Sequence, residues 1–287
     1  MSGAIYLPLL AALLHPILGW AIQSATKRGV SLLLIAGICN IVTGIVVLTW
    51  KRPPGPLTQL SPHDWIALAN GFLFFFGQWF SILSLRNGHL AVHSSALGAK
   101  ILIVALLSIG FGLEPARPFL LLAVVVAIFA VFLVAGASLA GWRAHRRTVG
   151  LTLIACLFFG TNDYLTGQFG GTVGTARWLG LMLGTSATLS LFLVASRAKQ
   201  FADLTRNRGA FSFVLLAGLM LGIQTVLVNI AFSEYAQPTL SNVAYASRGV
   251  IAVIALAIFG AAAGKEYWGR RITGSFLMIA ALWLALM

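Results

Sequence analysis

The chain has 287 residues, of which 59% are hydrophobic and 9% charged, with a mean hydropathy of +0.95. Soluble domains carry about 25% charged residues, so a polar surface cannot be built from these side chains, and the same numbers exclude a disordered chain, collagen, a coiled coil and a disulfide-stapled secreted fold. Nineteen bases face six acids, a net charge of +13, and that excess fits nucleic-acid binding only if the bases gather on a domain free of membrane spans.

They do not gather. A helix needs about 20 apolar residues to cross a bilayer. Ten segments qualify in chain order: 5–25, 31–50, 65–85, 90–112, 118–138, 149–168, 176–195, 210–232, 240–262 and 271–287. Their apolar runs are continuous rather than alternating, which predicts helices and not a barrel. The first has no basic lead and no evident cleavage site, so it is expected to be a mature helix rather than a signal peptide. Connections are short except 51–64 and 196–209, and no soluble domain is expected. The fold class is an all-α polytopic membrane protein with ten transmembrane helices.

The bases report sidedness. Thirteen lie in the loops after spans 1, 3, 5, 7 and 9, among them Lys27, Arg28, Arg86, Arg143, Arg197 and Arg271, whereas the opposite side holds Lys51, Arg52, Arg117 and Arg177. The positive-inside rule then puts the odd-numbered loops in the cytoplasm and both termini outside, in what is expected to be a bacterial inner membrane. Membrane lipids are partners by this reading, anionic ones included, and nucleic acid is not. Cys39 and Cys156 fall inside spans 2 and 6 and read as small buried apolar residues.

The chain repeats itself at a shift of 148, which aligns Arg86–Lys100 with Glu234–Arg248 without a gap. His93 meets Ser241, Leu97 meets Tyr245 and Lys100 meets Arg248. With four extra residues Glu114 meets Glu266, and a shift of 145 puts Gln23 on Gln168. The halves are 1–148 and 149–287, five spans each, within one integral transmembrane domain. Five is odd, so the second half enters from the other side and the repeats are inverted. Inverted repeats hold substrate near the midplane and rock around it.

Span 6 contains Phe159-Gly160-Thr161-Asn162-Asp163-Tyr164, and Glu114 and Glu266 precede the last span of each half. With the five-plus-five pattern, these features resemble the drug/metabolite transporter superfamily, specifically its EamA-like ten-helix members, over essentially the whole chain. The resemblance implies metabolites, amino acids or phosphorylated sugars as substrates, and export as often as uptake. Within that superfamily the plastid phosphate translocators hold phosphate with cavity cations, which makes a carboxylate or phosphate substrate an analogy for this chain.

The residues point the same way independently. Lys100 lies ~15 Å deep in span 4 and Arg248 ~12 Å deep in span 9 at 1.5 Å per residue, where a cation costs roughly 2.5–3.5 kcal/mol. Each is expected to face a cavity, an acid or a ligand. An internal ion pair is one reading; a pair of cations binding one anionic substrate is the other. Ser241, Tyr245 and Arg248 form one stripe of span 9, matched by His93, Leu97 and Lys100 on span 4. Asp163 lies at a depth compatible with Arg248, and a bridge between them is the favoured pairing. Asp163 and His15, the latter followed by Pro16, are the candidates to carry a coupling proton. Asn40, Gln78, Asn162 and Gln224 are either interhelical ties or cavity groups, and Trp79 lines the cavity or packs.

No P-loop, His-Glu-x-x-His helix or Gly-x-Ser-x-Gly elbow is present, so no enzymatic activity, cofactor or metal is expected. The expected function is a secondary active transporter of a small organic anion or zwitterion by alternating access. Lys100, Arg248, Tyr245, Ser241, His93, Trp79 and Gln78 form the substrate site. The alternative is a non-transporting membrane protein that grips a lipid head group or an assembly partner.

Overall fold

The computed structural model describes residues 3–51, 59–86, 90–135, 138–251, 254 and 268–287. Every element within them is a helix. Ser31 opens α2 (Leu32–Trp50) by accepting the Leu34 amide, and Asn207 opens α11 (Arg208–Tyr235) by accepting that of Ala210 at 3.1 Å. At α3 (Pro62–Arg86), Ser61 and Asp64 close a reciprocal cap: the Ser61 amide donates to Asp64 at 2.7 Å and the Asp64 amide to Ser61 Oγ at 3.2 Å. The first helix, α1 (Gly3–Lys27), ends at Gly29, whose φ of +83° is the left-handed conformation that glycine adopts without strain.

Eight described helical stretches, Val92–Gly110 counted as one, are long and apolar enough to cross a membrane, and the protein is an integral membrane protein. Their outer faces agree. On α1 the exposed large apolar residues are Tyr6, Leu10, Leu13, Ile17 and Trp20; on α13 (Trp268–Leu286) they are Ile272, Phe276, Ile279, Trp283 and Leu286. Spacings of three and four residues make each an apolar stripe of a size that water does not tolerate and lipid does. The inner faces carry small residues instead: Ala11, Ala21 and Ala25 of α1 are fully buried, which lets helix backbones approach closely.

α1 packs along α11, α3 along α8 (Arg146–Val173), α2 along α9 (Thr175–Ala195), and α6 (Pro118–Val134) along α13. Ala4, Leu120 and Ala285 share one apolar cluster, so the start of α1, the start of α6 and the end of α13 lie at one end of the bundle. At the other end, Ser31 Oγ donates to Gln200 of α10 (Ala198–Arg206) at 3.0 Å, bringing the Lys27–Arg28 turn beside the basic segment 197–208.

Three expectations change. The fifth span ends at Val134 instead of 138, and a separate short helix, α7 (Leu139–Ala144), follows it, capped by Ser138. The 196–209 connection is largely α10, held by Leu204 and Phe201 against the core. Most consequential, the fourth span is not continuous: it divides into α4 (Leu90–Ala96) and α5 (Ala99–Gly110). At the division the hydrogen bonds tighten to three-residue spacing, from Gly98 N to Ser95 O, Lys100 N to Leu97 O and Ile101 N to Gly98 O. The Cys156 thiol of α8 donates to the Ala96 and Leu97 carbonyls at 3.6 and 3.8 Å, occupying acceptors that a break inside a membrane must not leave bare. The ninth span starts as α12 (Pro238–Ala246) and turns at Ser247, again with a three-residue bond, to Ala244 O at 3.2 Å; residues 248–251 are helical. Residues 252–253 and 255–267, which include most of the rest of span 9 and, after it, Lys265 and Glu266, lie outside the described residues.

Candidate functional site

The two interrupted helices meet near the centre, where α5 packs on α12 and on α8. The turn at 97–98 sets Lys100 in the first turn of α5, with its ammonium 2.7 Å from Asp163 Oδ2 of α8. Asn242 of α12 donates to the same oxygen at 2.9 Å, while its Nδ2 also donates to Pro238 O at 2.9 Å. Asp163 is 6% exposed and Asn242 2%. One carboxylate thus joins an ammonium from the first half of the chain to an amide from the second.

The expected Asp163–Arg248 bridge is not formed. Asp163 pairs with Lys100, and no carboxylate among the described residues lies within ion-pair distance of Arg248. Depth was matched, but azimuth was not. Asn242, which faces Asp163, and Arg248 are six residues apart, about 240° of turn at 3.6 residues per turn. The Arg248 guanidinium instead lies 4.5 Å from the centroid of the Tyr245 ring, a cation–π contact.

That side of α12 faces α1 and α11. Ser241 is fully buried and donates to Ala4 O at 2.8 Å, so it ties α12 to the backbone of α1. Tyr245 Oη donates to Gln224 Oε1 of α11 at 2.8 Å. Gln224 is 1% exposed, and its Nε2 has no hydrogen-bond partner among the described residues. His15 faces Gln224 and lies within electrostatic reach of Arg248, with its buried Nδ1 also unpartnered. The structure therefore separates the predicted residues into two groups, Lys100–Asp163, joined there by Asn242, and Arg248–Tyr245–Gln224–His15.

His93 belongs to neither. It is 4% exposed, and its Nδ1 meets Ser84 Oγ and, at 3.0 Å, Thr152 Oγ1. Both hydroxyls already donate to carbonyls, Ser84 to Ser81 O and Thr152 to Thr148 O, each at 2.7 Å. Both must accept from the ring, so Nδ1 carries the proton, and Nε2 is left to accept from Ser81 Oγ at 3.4 Å. This is a polar tie among α3, α4 and α8. Trp79 stacks on Phe75 with centroids 6.1 Å apart, and Gln78 is half-buried; neither bonds to Lys100 or Arg248.

Several polar residues are interhelical ties. Asn70 Nδ2 donates to Asn162 O at 3.2 Å and Asn162 Nδ2 returns to Asn70 O at 3.3 Å. Thr166 accepts from both Asn70 and Trp178 at 3.1 Å, extending the tie to α9. Asn40 donates to Ser190 at 3.1 Å. Asn242 and Asn70 were not singled out from sequence. The signal available for Asn242 is a lone amide side chain in a span that already carries an arginine, one residue after Ser241.

At the end of the bundle that holds the termini, Glu114 is 3% exposed and accepts the Thr239 amide at 2.7 Å, capping α12 from the other half of the chain. Burial pushes its carboxyl above the usual carboxylate range, against the opposing pull of the Thr239 bond and of Arg117. Nearby, Arg177 grips Asp64 in a two-pronged bond of 2.8 and 3.0 Å. A depression of about 350 Å³ lined by Gln59, Ser61, Asp64, Thr172, Val173 and Arg177 opens there. Ten residues of α8 separate Val173 from Asp163, roughly 15 Å, so this depression is distinct from the central cations. Among the described residues, no three His, Cys, Asp or Glu side chains converge as metal ligands would.

No family model matches the chain, and no curated protein does. A solved crystal structure of a protein with 18% sequence identity superposes with a TM-score of 0.69, over 99% of this chain and 96% of the other. The likeness is one of fold.

Proposed function

We propose that the chain is a secondary active transporter of a small organic anion, built from ten crossings in two inverted five-helix halves and working by alternating access. The observation that carries this reading is the pair of helix interruptions, at 97–98 and at 247, with Lys100 and Arg248 just beyond them. Interrupted helices in corresponding positions of two halves are the common mark of a midplane substrate site. The packing supports the inversion. Exchanging the first five crossings for the last five carries the α1–α11 pair onto α8–α3, and the α2–α9 and α6–α13 pairs onto themselves.

In this reading the two cations have different duties. Arg248, without an acid among the described residues, meets the substrate. Lys100, held by Asp163, to which Asn242 also donates, locks the halves together, and protonation of Asp163 or arrival of an acidic group on Lys100 releases the lock. Asp163 is then the coupling residue. Membership of the drug/metabolite transporter superfamily and a cytoplasmic position for the basic end, in a bacterial inner membrane, belong to the same reading.

Uptake and exchange of a labelled anion panel in proteoliposomes test it. Lys100→Ala and Arg248→Ala are each expected to reduce transport at least about tenfold, the scale of losing one charged hydrogen-bond partner. Full transport by both variants overturns the assignment of these residues. A protein that binds anions without moving any is the lipid-head-group or assembly protein instead.

A further inference from the structure

The sequence leaves open which anion would suit two cations. The structure narrows the choice, on the reading that Arg248 meets the substrate. We infer that the Arg248–Gln224–His15 cluster is a subsite for a single carboxylate, and that the ligand is a monocarboxylate rather than a phosphate dianion or a zwitterion.

The donors are specific. Gln224 is 1% exposed; its Oε1 accepts from the Tyr245 hydroxyl and its amide faces His15, while Nε2 meets no acceptor among the described residues, which leaves its N–H bonds unspent in the core. Burying an amide donor without an acceptor is costly. Tyr245 also fixes Arg248, whose guanidinium lies over the ring while Gln224 holds the hydroxyl, so one side chain positions both donors. His15 Nδ1 is a further buried polar atom without a partner beside the same two groups. A planar carboxylate supplies two acceptor oxygens, matching the fork of an arginine and one amide.

Charge selects the class. Lys100 and Asp163 cancel each other at 2.7 Å, and the hydroxyls around His93 fit its neutral form. With His15 in its neutral form, one positive charge, on Arg248, is left among these groups. A monoanion cancels it. A phosphate dianion overshoots to a net negative charge, and a zwitterion leaves the positive charge in place; both outcomes are unfavourable in a low-dielectric interior.

Ligand-induced thermal stabilisation of the purified full-length protein reads this out, with acetate and benzoate as monocarboxylates, and inorganic phosphate and glycine as the rivals, at constant ionic strength. The monocarboxylates are expected to stabilise the wild type at concentrations at least about tenfold lower than the rivals, with the effect lost in Arg248→Gln. Because that variant could fail to fold, Gln224→Glu is the second probe. It places a carboxylate beside Arg248 and is expected to raise the ligand-free Tm while abolishing stabilisation by acetate. Equal or better stabilisation by phosphate or glycine overturns the assignment, as does undiminished acetate stabilisation in Gln224→Glu, or no stabilisation of the wild type by either carboxylate. Proteoliposome transport separates the two readings. Carboxylate binding without transport leaves the subsite standing and sinks the transporter, whereas transport of another anion without carboxylate binding does the reverse.

Discussion

Asp163 joins two halves of the chain with a single oxygen, which accepts one hydrogen bond from Lys100 and another from Asn242. Removing one member of such a buried pair strands the other charge, at a cost of about 3–5 kcal/mol, while replacing both with apolar groups of similar volume is often tolerated. Asp163→Asn and Lys100→Met are therefore each expected to lower the denaturation midpoint in detergent by several degrees, and Lys100→Met/Asp163→Leu to recover most of the loss. Additive losses in the double variant would show that the two groups do not interact energetically. Glu114 provides a pH-dependent counterpart outside the spans. Its carboxyl is raised by burial, so the folded protein holds the proton more tightly than the unfolded chain does, where the value is about 4.3. The resulting stabilisation is complete below that value and is lost as pH rises through the raised, folded-state value. The stability of the wild type relative to Glu114→Gln is thus expected to fall from pH 4 upward. A difference that stays flat or rises with pH would contradict the burial of the carboxyl.

Helix contacts in this protein depend on glycine at particular places. A Cβ on Gly71 of α3 would stand 2.3 Å from Met182 O and 2.6 Å from Thr185 Cβ of α9, whereas one on Gly184, also in α9, meets nothing within 4 Å. Backbone cannot step aside as a flexible side chain can, so Gly71→Ala is expected to destabilise by at least about 1–3 kcal/mol. Gly184→Ala is expected to be neutral or stabilising by up to about 1 kcal/mol through helix propensity. Thermal melts of the two variants in one detergent check the contrast, and equal effects would mean that α3 and α9 are not packed at Gly71. The interrupted helices are the other element-scale feature. Span 4 reads as one unbroken apolar run because Leu97 and Gly98 have no mark of a break in them. The carbonyls set free are taken up by Cys156, sixty residues away, and by tightened local bonds. A local pattern cannot show that compensation.

The whole bundle has its termini at one end and most of its described bases at the other. Reporter fusions give a direct reading of sidedness: both ends are expected to report the non-cytoplasmic side, and cytoplasmic signals from both would reverse the orientation. The pairing of helices also explains why so few polar groups suffice. The contacts of α3 with α8 include the ring pairs Phe74–Phe159 and Phe80–Phe158, and a few polar ties set the register, Asn70–Asn162 between α3 and α8 and Asn40–Ser190 between α2 and α9.

What the amino-acid sequence determined by itself was the class, an all-helical membrane protein: hydropathy acts locally, and about 20 apolar residues in a row are what a helix needs to cross a bilayer. It also marked Lys100, Asp163 and Arg248 as costly, because burial depth along a helix is a count of residues. Which acid met which base was decided by the tertiary structure alone. Azimuth around a helix and the neighbour it faces are set by packing, and a 240° turn between Asn242 and Arg248 sent one to Asp163 and the other to Tyr245 and Gln224. The charge excess that first looked like a single property thus divides three ways: bases that mark an end of the bundle, one lysine neutralised at the centre, and one arginine there with no acid among its described neighbours.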